Sequence, residues 1–285
     1  MDSTWSSSVS AVVATSGGHL RIATLFGATL VFGCLTPASA GAQTADRARL
    51  AIGVGIIHVS GGGELWRVGD QPLFVPADTD TVAVTRRLTS GFGAVFSGAF
   101  FPNDYFGVGA EVLVMGLGYA DGCRIVRTVG SSLTSGLCTS LNNAEHSAIA
   151  FSMGAGIYLK PGFRGTLQPY VRVMGGFASL QQSLVRTEGE AATAGGLVAG
   201  VTLYDDSHTT SFSPYLNAGL GVAAAIGGGF QFRWEVREQY LRLPSVTGPT
   251  RFQGLVPPST SRGRTTFGFS VGVDILLARR RGRRY

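Results

Sequence analysis

Eight segments of this 285-residue chain alternate apolar residues with small or polar ones at a period near two, and beyond position 43 no apolar run reaches about 18 residues. The segment 230–240, FQFRWEVREQY, shows the pattern most strongly. One set is Phe230, Phe232, Trp234, Val236, Glu238 and Tyr240; the other is Gln231, Arg233, Glu235, Arg237 and Gln239. A strand sends successive side chains to opposite faces, so one face is aromatic and the other charged. The remaining segments are 50–58, 90–101, 105–119, 147–160, 167–180, 213–226 and 265–277. In each, an apolar set faces a set rich in glycine: Phe92, Phe96 and Phe100 oppose Gly91, Gly93, Ser97 and Ala99, and Phe267, Phe269 and Val271 oppose Gly268, Ser270 and Asp274. Such a chain has two solutions. A soluble sandwich or lipocalin-like barrel buries the apolar face and has room for a small ligand. A transmembrane barrel turns that face to lipid, and each of its strands needs only about 9–11 residues.

The connections favour the second solution. PND (102–104), PGFRGT (161–166) and GGG (227–229) are short and rich in turn formers. Those near 60–89, 120–146, 181–212 and 243–264 are long. Short turns on one side and long loops on the other are the up-and-down pattern of a membrane barrel, and eight strands satisfy its even count. Ten strands stay open, because GGLVAGVTLY (195–204) could form a further pair inside the third long loop.

The first 42 residues look like an export signal. Arg21 precedes the apolar run 22–35, too short to span a bilayer, and small residues at Ala38, Ala40 and Ala42 fit an A-x-A cleavage pattern. Residues 43–285 are then the barrel domain, ending in a basic tail, 278–285. Cys34 lies inside the apolar run, where a lipoprotein box is the competing reading. The exported part keeps Cys123 and Cys138, which suggests one disulfide across the second long loop. The net charge of +6 is concentrated in the tail ARRRGRRY, so no basic groove for nucleic acid is implied.

In its architecture the chain resembles the small outer-membrane β-barrel proteins of Gram-negative bacteria. The stretches that carry the resemblance are YFGVGAEV, LQPYVRVMGG, SPYLNAGLGV and FGFSVGVDI, within roughly 49–285. The resemblance implies an antiparallel barrel, outer-membrane lipid as its surroundings and a monomer as its working form. It also implies recognition of the C-terminus by the barrel-assembly machinery, for which Tyr285 is the candidate although ARRRGRR sets it apart from the last alternation. Phe92, Phe96, Phe232, Trp234, Phe267 and Phe269 should then face lipid, and Glu111, Arg172, Arg233, Glu235, Arg237 and Asp274 should line the lumen. An eight-stranded barrel is only just wide enough for its side chains to fill, so these charges should pair, with Glu111 and Glu235 as partners of the arginines. A structural polar core and a narrow ion path are both compatible with such a cluster.

Motifs for chemistry are sparse. No glycine run has the spacing of a nucleotide-binding loop, and the two cysteines lack the further ligands of a zinc site, so neither a cofactor nor a metal is expected. Enzymes built on such barrels place His, Ser and carboxylate groups near the outer rim. Here His58, His146 and His208 are the histidines beyond the signal. Glu145, His146 and Ser147 are neighbours and point to opposite faces, while His58 could share a face with Ser60, with Glu64 beyond. The expectation is a non-catalytic barrel acting through its loops on a partner outside the cell, with a very narrow pore in reserve. A lipid-modifying hydrolase or acyltransferase and a secreted ligand-binding barrel are the alternatives.

Overall fold

The computed structural model describes residues 49–278, apart from 76–77, 129–131, 162–165, 193–197 and 208–209. The proposed export signal, Cys34, His208, the basic tail and Tyr285 lie outside the described residues. Among the described residues twelve strands and one helix follow in order: β1 (Arg49–Val59), β2 (Gly63–Val75), β3 (Asp78–Leu88), β4 (Gly91–Phe101), β5 (Phe106–Arg127), α1 (Ser132–Asn143), β6 (Glu145–Leu159), β7 (Leu167–Leu180), β8 (Thr187–Ala192), β9 (Val198–Tyr204), β10 (Thr210–Gly227), β11 (Phe230–Val246) and β12 (Ser259–Ala278).

Eight of the strands close a ring. The order β1-β4-β5-β6-β7-β10-β11-β12 returns to β1, and every pairing is antiparallel. Following the register once around, from Ile52 through Gly98, Ala110, Ala155, Gly175, Leu216, Tyr240 and Thr265, and continuing the β12–β1 register past its last pair, arrives at position 62, a stagger of ten residues. Eight strands with that stagger require a strand tilt of about 40°. At one end, among the described residues, two of the connections between ring strands are tight turns. In the first, the Asn103 side chain accepts from the N–H groups of Tyr105 and Phe106 at 3.0 and 2.8 Å. In the last, Gly227, Gly228 and Gly229 all have positive φ, which side chains with a Cβ rarely tolerate.

The faces are those of a membrane barrel. On β1, Leu50, Ile52, Val54 and Ile56 are exposed while Ala51, Ile57 and Val59 are buried. On β11 the even positions from Phe230 to Arg242 point out and the odd ones from Gln231 to Leu243 are buried. Phe92 is 71% exposed and Trp234 39%, and Phe96, Phe267 and Phe269 are exposed with them; Phe232 is half-buried against Trp234, ring centroids 4.5 Å apart. The soluble ligand-binding barrel is overturned by this arrangement, because it needs the aromatic set inside. Among the described residues no helix is long and apolar enough to cross a membrane. Trp234→Arg should therefore cost the inserted barrel about 2–4 kcal/mol, depending on depth. Spin labels placed singly at 230 to 240 should report contact with lipid-dissolved oxygen at even positions. Contact at odd positions would refute the assignment.

The ten-strand barrel is also overturned. Residues 198–204 do form a strand, but it pairs with β8 in a separate two-stranded sheet and never enters the ring. The long connections are not loose loops either. The stretch SGGGELW (60–66) runs straight into β2, which starts at Gly63. β2 and β3 form a hairpin that continues the wall, because β3 pairs with the outer half of β5. At 22, 18, 17 and 20 residues, β5, β10, β11 and β12 exceed the roughly 9–11 residues that cross a bilayer, so they carry the wall past the membrane.

Candidate functional site: a filled lumen beneath a folded headpiece

The structure places Glu111, Arg172, Arg233, Glu235, Arg237 and Asp274 inside the barrel, each buried. Four of them close a ring of alternating charge. Arg172 Nη1 donates to Glu111 Oε2 at 2.6 Å, and Arg237 Nη1 donates to Glu111 Oε1 at 2.8 Å. Arg172 Nε donates to Glu235 Oε1 at 2.8 Å, and Arg237 Nε lies 2.9 Å from the same oxygen, off the hydrogen-bonding line. Tyr170 donates its hydroxyl to Glu235 Oε2 at 2.7 Å, and Ser270 accepts from Arg237 Nη2 at 3.1 Å. Glu111 belongs to β5 and Arg237 to β11, four places apart in an eight-membered ring, so the cluster crosses the full width of the lumen. Glycines make the room: a Cβ on Gly219 would meet Glu235 Oε1 at 2.7 Å, and one on Gly221 would meet the Tyr170 ring at 2.3 Å.

Arg233 does not join this ring. It lies 3.5 Å from Asp274 Oδ1 and donates to Ser97 at 3.1 Å, while Gln231 donates to Asp274 Oδ2 at 2.7 Å. Three arginines thus face three carboxylates, and the buried charge balances. Toward the short turns lies a cavity of about 20 Å³, lined by Ala51, Ala99, Tyr158, Tyr170, Arg233 and Asp274, with room for about one water. The Lys160 amine sits nearby, 3.7 Å from the centre of the Phe101 ring. On the other side of the charged ring come the buried side chains of Asn217, Gln239 and Thr266, and beyond them the interior turns apolar. Ile57, Val59, Leu113, Met115, Leu117, Ala148, Ala150, Ala178, Leu180 and Leu241 point inward and merge with a second core above them.

That second core belongs to the long connections. Leu65, Trp66, Val68 and Leu73 of β2, Val82 and Val84 of β3, Leu137 and Leu141 of α1, Leu184, Val185, and Leu203 and Tyr204 of β9 are all buried together. They form a headpiece, and a fully buried ion pair holds it. Arg86 on β3 makes two bonds to Asp121 on β5, at 2.6 and 2.7 Å. The same guanidinium donates to the carbonyls of Leu184 and Arg186 at 2.7 and 2.9 Å and to the Thr187 hydroxyl at 3.0 Å. It also lies over the rings of Trp66 and Tyr119, 5.2 and 4.5 Å from their centres. One side chain therefore ties together the first, second and third connections. The fourth is held by Gln71, which accepts from Thr250 N at 2.9 Å and donates to Thr250 Oγ1 at 3.0 Å, and by Gln253, which bonds both backbone groups of Phe74 at 3.0 and 3.1 Å. Burial pushes the Tyr204 hydroxyl well above the usual phenol range.

Cys123 and Cys138 form a disulfide with Cα atoms 4.8 Å apart, joining β5 to α1. Asn142 reinforces the joint by accepting from Cys123 N at 2.7 Å and donating to Cys123 O at 3.0 Å. The rim histidines are not brought to one another. His58 faces outward against Phe92, ring centroids 4.8 Å apart, Ser60 donates to the Phe267 carbonyl at 3.0 Å, and Glu64 is engaged by Arg67. His146 stacks on Tyr119 at 5.3 Å. Among the described residues no cluster of three His, Cys, Asp or Glu side chains could hold a metal ion.

Ring closure, a stagger of ten, an apolar outside and a charge-balanced inside define a transmembrane antiparallel β-barrel of the outer-membrane type. No family model and no curated protein matches the chain. Among solved structures it is similar to small outer-membrane barrels. Neisserial surface protein A is 10% identical, with 80% of this chain and 96% of that one covered and a TM-score of 0.37. The outer membrane protein OprG from Pseudomonas aeruginosa is 9% identical, with 81% and 97% covered and a TM-score of 0.40. The outer membrane protein AlkL, solved in lipid bilayers, is 15% identical, with 87% and 98% covered and a TM-score of 0.37.

Proposed function

We propose that this protein is an outer-membrane anchor that holds a folded headpiece outside the cell and works by contact, without conducting. The observation that carries the reading is the continuity of packing from the charged ring across the lumen to the headpiece core. A conducting path needs mobile water along the axis; here three guanidinium groups and three carboxylates are committed to one another, and an apolar layer follows. Catalysis is no part of the reading, because neither His58 nor His146 is hydrogen-bonded to a serine or a carboxylate among the described residues. Outer-membrane lipid covers the apolar band, and the barrel-assembly machinery reads the C-terminus. Purified protein inserted into a planar bilayer should give no stepwise current. Steps in the wild-type protein would restore the narrow pore and defeat the proposal.

A further inference from the structure

The β8–β9 hairpin leaves a strand edge open. β8 lies between α1 and β9, with Gly189 against Leu137 and Leu141, while β9 has β8 on one side only. On its other side, among the described residues, the sole bridge is the parallel one from Tyr204 to Leu255, at the C-terminal end of the strand. Asp205 N donates to the Leu255 carbonyl at 3.3 Å there, and Gly254 N donates to the Leu203 carbonyl at 3.1 Å. So the end of this edge already accepts an extended segment, and residues 198–202 continue it. VAGVTLY contains no charge and no proline, the usual devices that blunt an edge. Val198 is 66% exposed, and Leu255 and Val256 are exposed where the bridge ends.

The exposed face beside this edge carries an acidic residue, Glu190. Glu190 stands opposite Gly200 in the hairpin register. It is exposed and makes no ion pair among the described residues, while Glu188 is taken by Arg186 at 2.5 Å. A Cβ on Gly200 would meet open space. A strand added beside β9 would set a residue next to Gly200, about 9–10 Å from Glu190 across two strand spacings. A lysine or arginine there can lay its stem over Gly200 and bring its head to the carboxylate.

We infer that the free edge of β9 is a docking site for an extended peptide segment of another protein with basic residues at alternate positions. Backbone hydrogen bonds give the affinity, and Glu190 selects the charge. The inference deepens the headpiece reading and rests on it. The probes are two short peptides, one alternating Val and Lys and one alternating Val and Glu, titrated against the full chain folded in detergent. The Val-Lys peptide should bind and slow amide exchange at 198–202. E190K should weaken that binding by about tenfold or more and should admit the Val-Glu peptide instead. N-methylation of alternate amides in the Val-Lys peptide should abolish binding, because it removes the ladder donors. No binding of the Val-Lys peptide, or binding indifferent to E190K or to N-methylation, overturns the inference. Failure with a silent bilayer leaves the headpiece reading in place, whereas stepwise current defeats that reading whether or not the peptide binds.

Discussion

Glu235→Ala should destabilise the folded barrel by about 3–5 kcal/mol, the usual cost of breaking a buried ion pair from one side. The loss leaves two guanidinium groups, Arg172 and Arg237, sharing the single carboxylate of Glu111, and removes the acceptor of the Tyr170 hydroxyl. Urea unfolding in detergent, followed by the gel shift between folded and unfolded barrel, measures it. Glu235→Gln keeps an acceptor oxygen and should cost less. Converting the ring as a whole, with Glu111→Leu, Arg172→Met, Glu235→Leu and Arg237→Met together, should restore much of the loss, since a buried charge cluster is worth little more than well-packed apolar groups. If Glu235→Ala unfolds at the wild-type urea concentration, the ring does not hold the lumen.

Arg86→Ala should have an effect of similar size on a different part of the molecule. It leaves Asp121 as an uncompensated buried carboxylate and frees the carbonyls of Leu184 and Arg186. The headpiece should loosen while the barrel persists, because none of these bonds involves the lumen ring. Limited proteolysis of protein in liposomes should then cut within 60–89 and 181–212 faster than in the wild type and leave the gel shift intact. Cleavage unchanged in Arg86→Ala would show that the apolar core alone fixes the connections. Lys at this position is a poor substitute, since a single ammonium cannot make two parallel bonds to Asp121 and reach Leu184 as well.

The ring strands were legible because their physics is local. In FQFRWEVREQY each residue declares its face by its own chemistry, and the tight turns PND and GGG mark where the chain reverses. The partners of each lumen charge were not. Arg233 and Arg237 are two turns of the same alternation, yet one meets Asp274 and the other Glu111, and only the stagger of the closed ring decides which. The headpiece was less legible still. Leu133, Leu137 and Leu141 do recur at a spacing of four, a helical signal, but Ser, Thr and Gly around them mask it. LWRVGDQPLFV and TVAVTRRL alternate in part, yet Gly69, Asp70 and Pro72 interrupt the first with turn formers. Nothing in TRRL reveals that Arg86 is the buried one, because Asp121 becomes its neighbour only through the β3–β5 register.

β5 runs without a break from Phe106, at the short-turn end, to Arg127 in the headpiece. It is bonded to β4 along its inner half, to β6 from Phe106 to Ala120 and to β3 along its outer half. Tension applied to the headpiece therefore travels down a single polypeptide into the wall of the barrel. It meets the bonds of neighbouring strands lengthwise, so many must yield together where a hinged loop would open them one at a time. The joint between barrel and headpiece is therefore one that axial tension would load in shear.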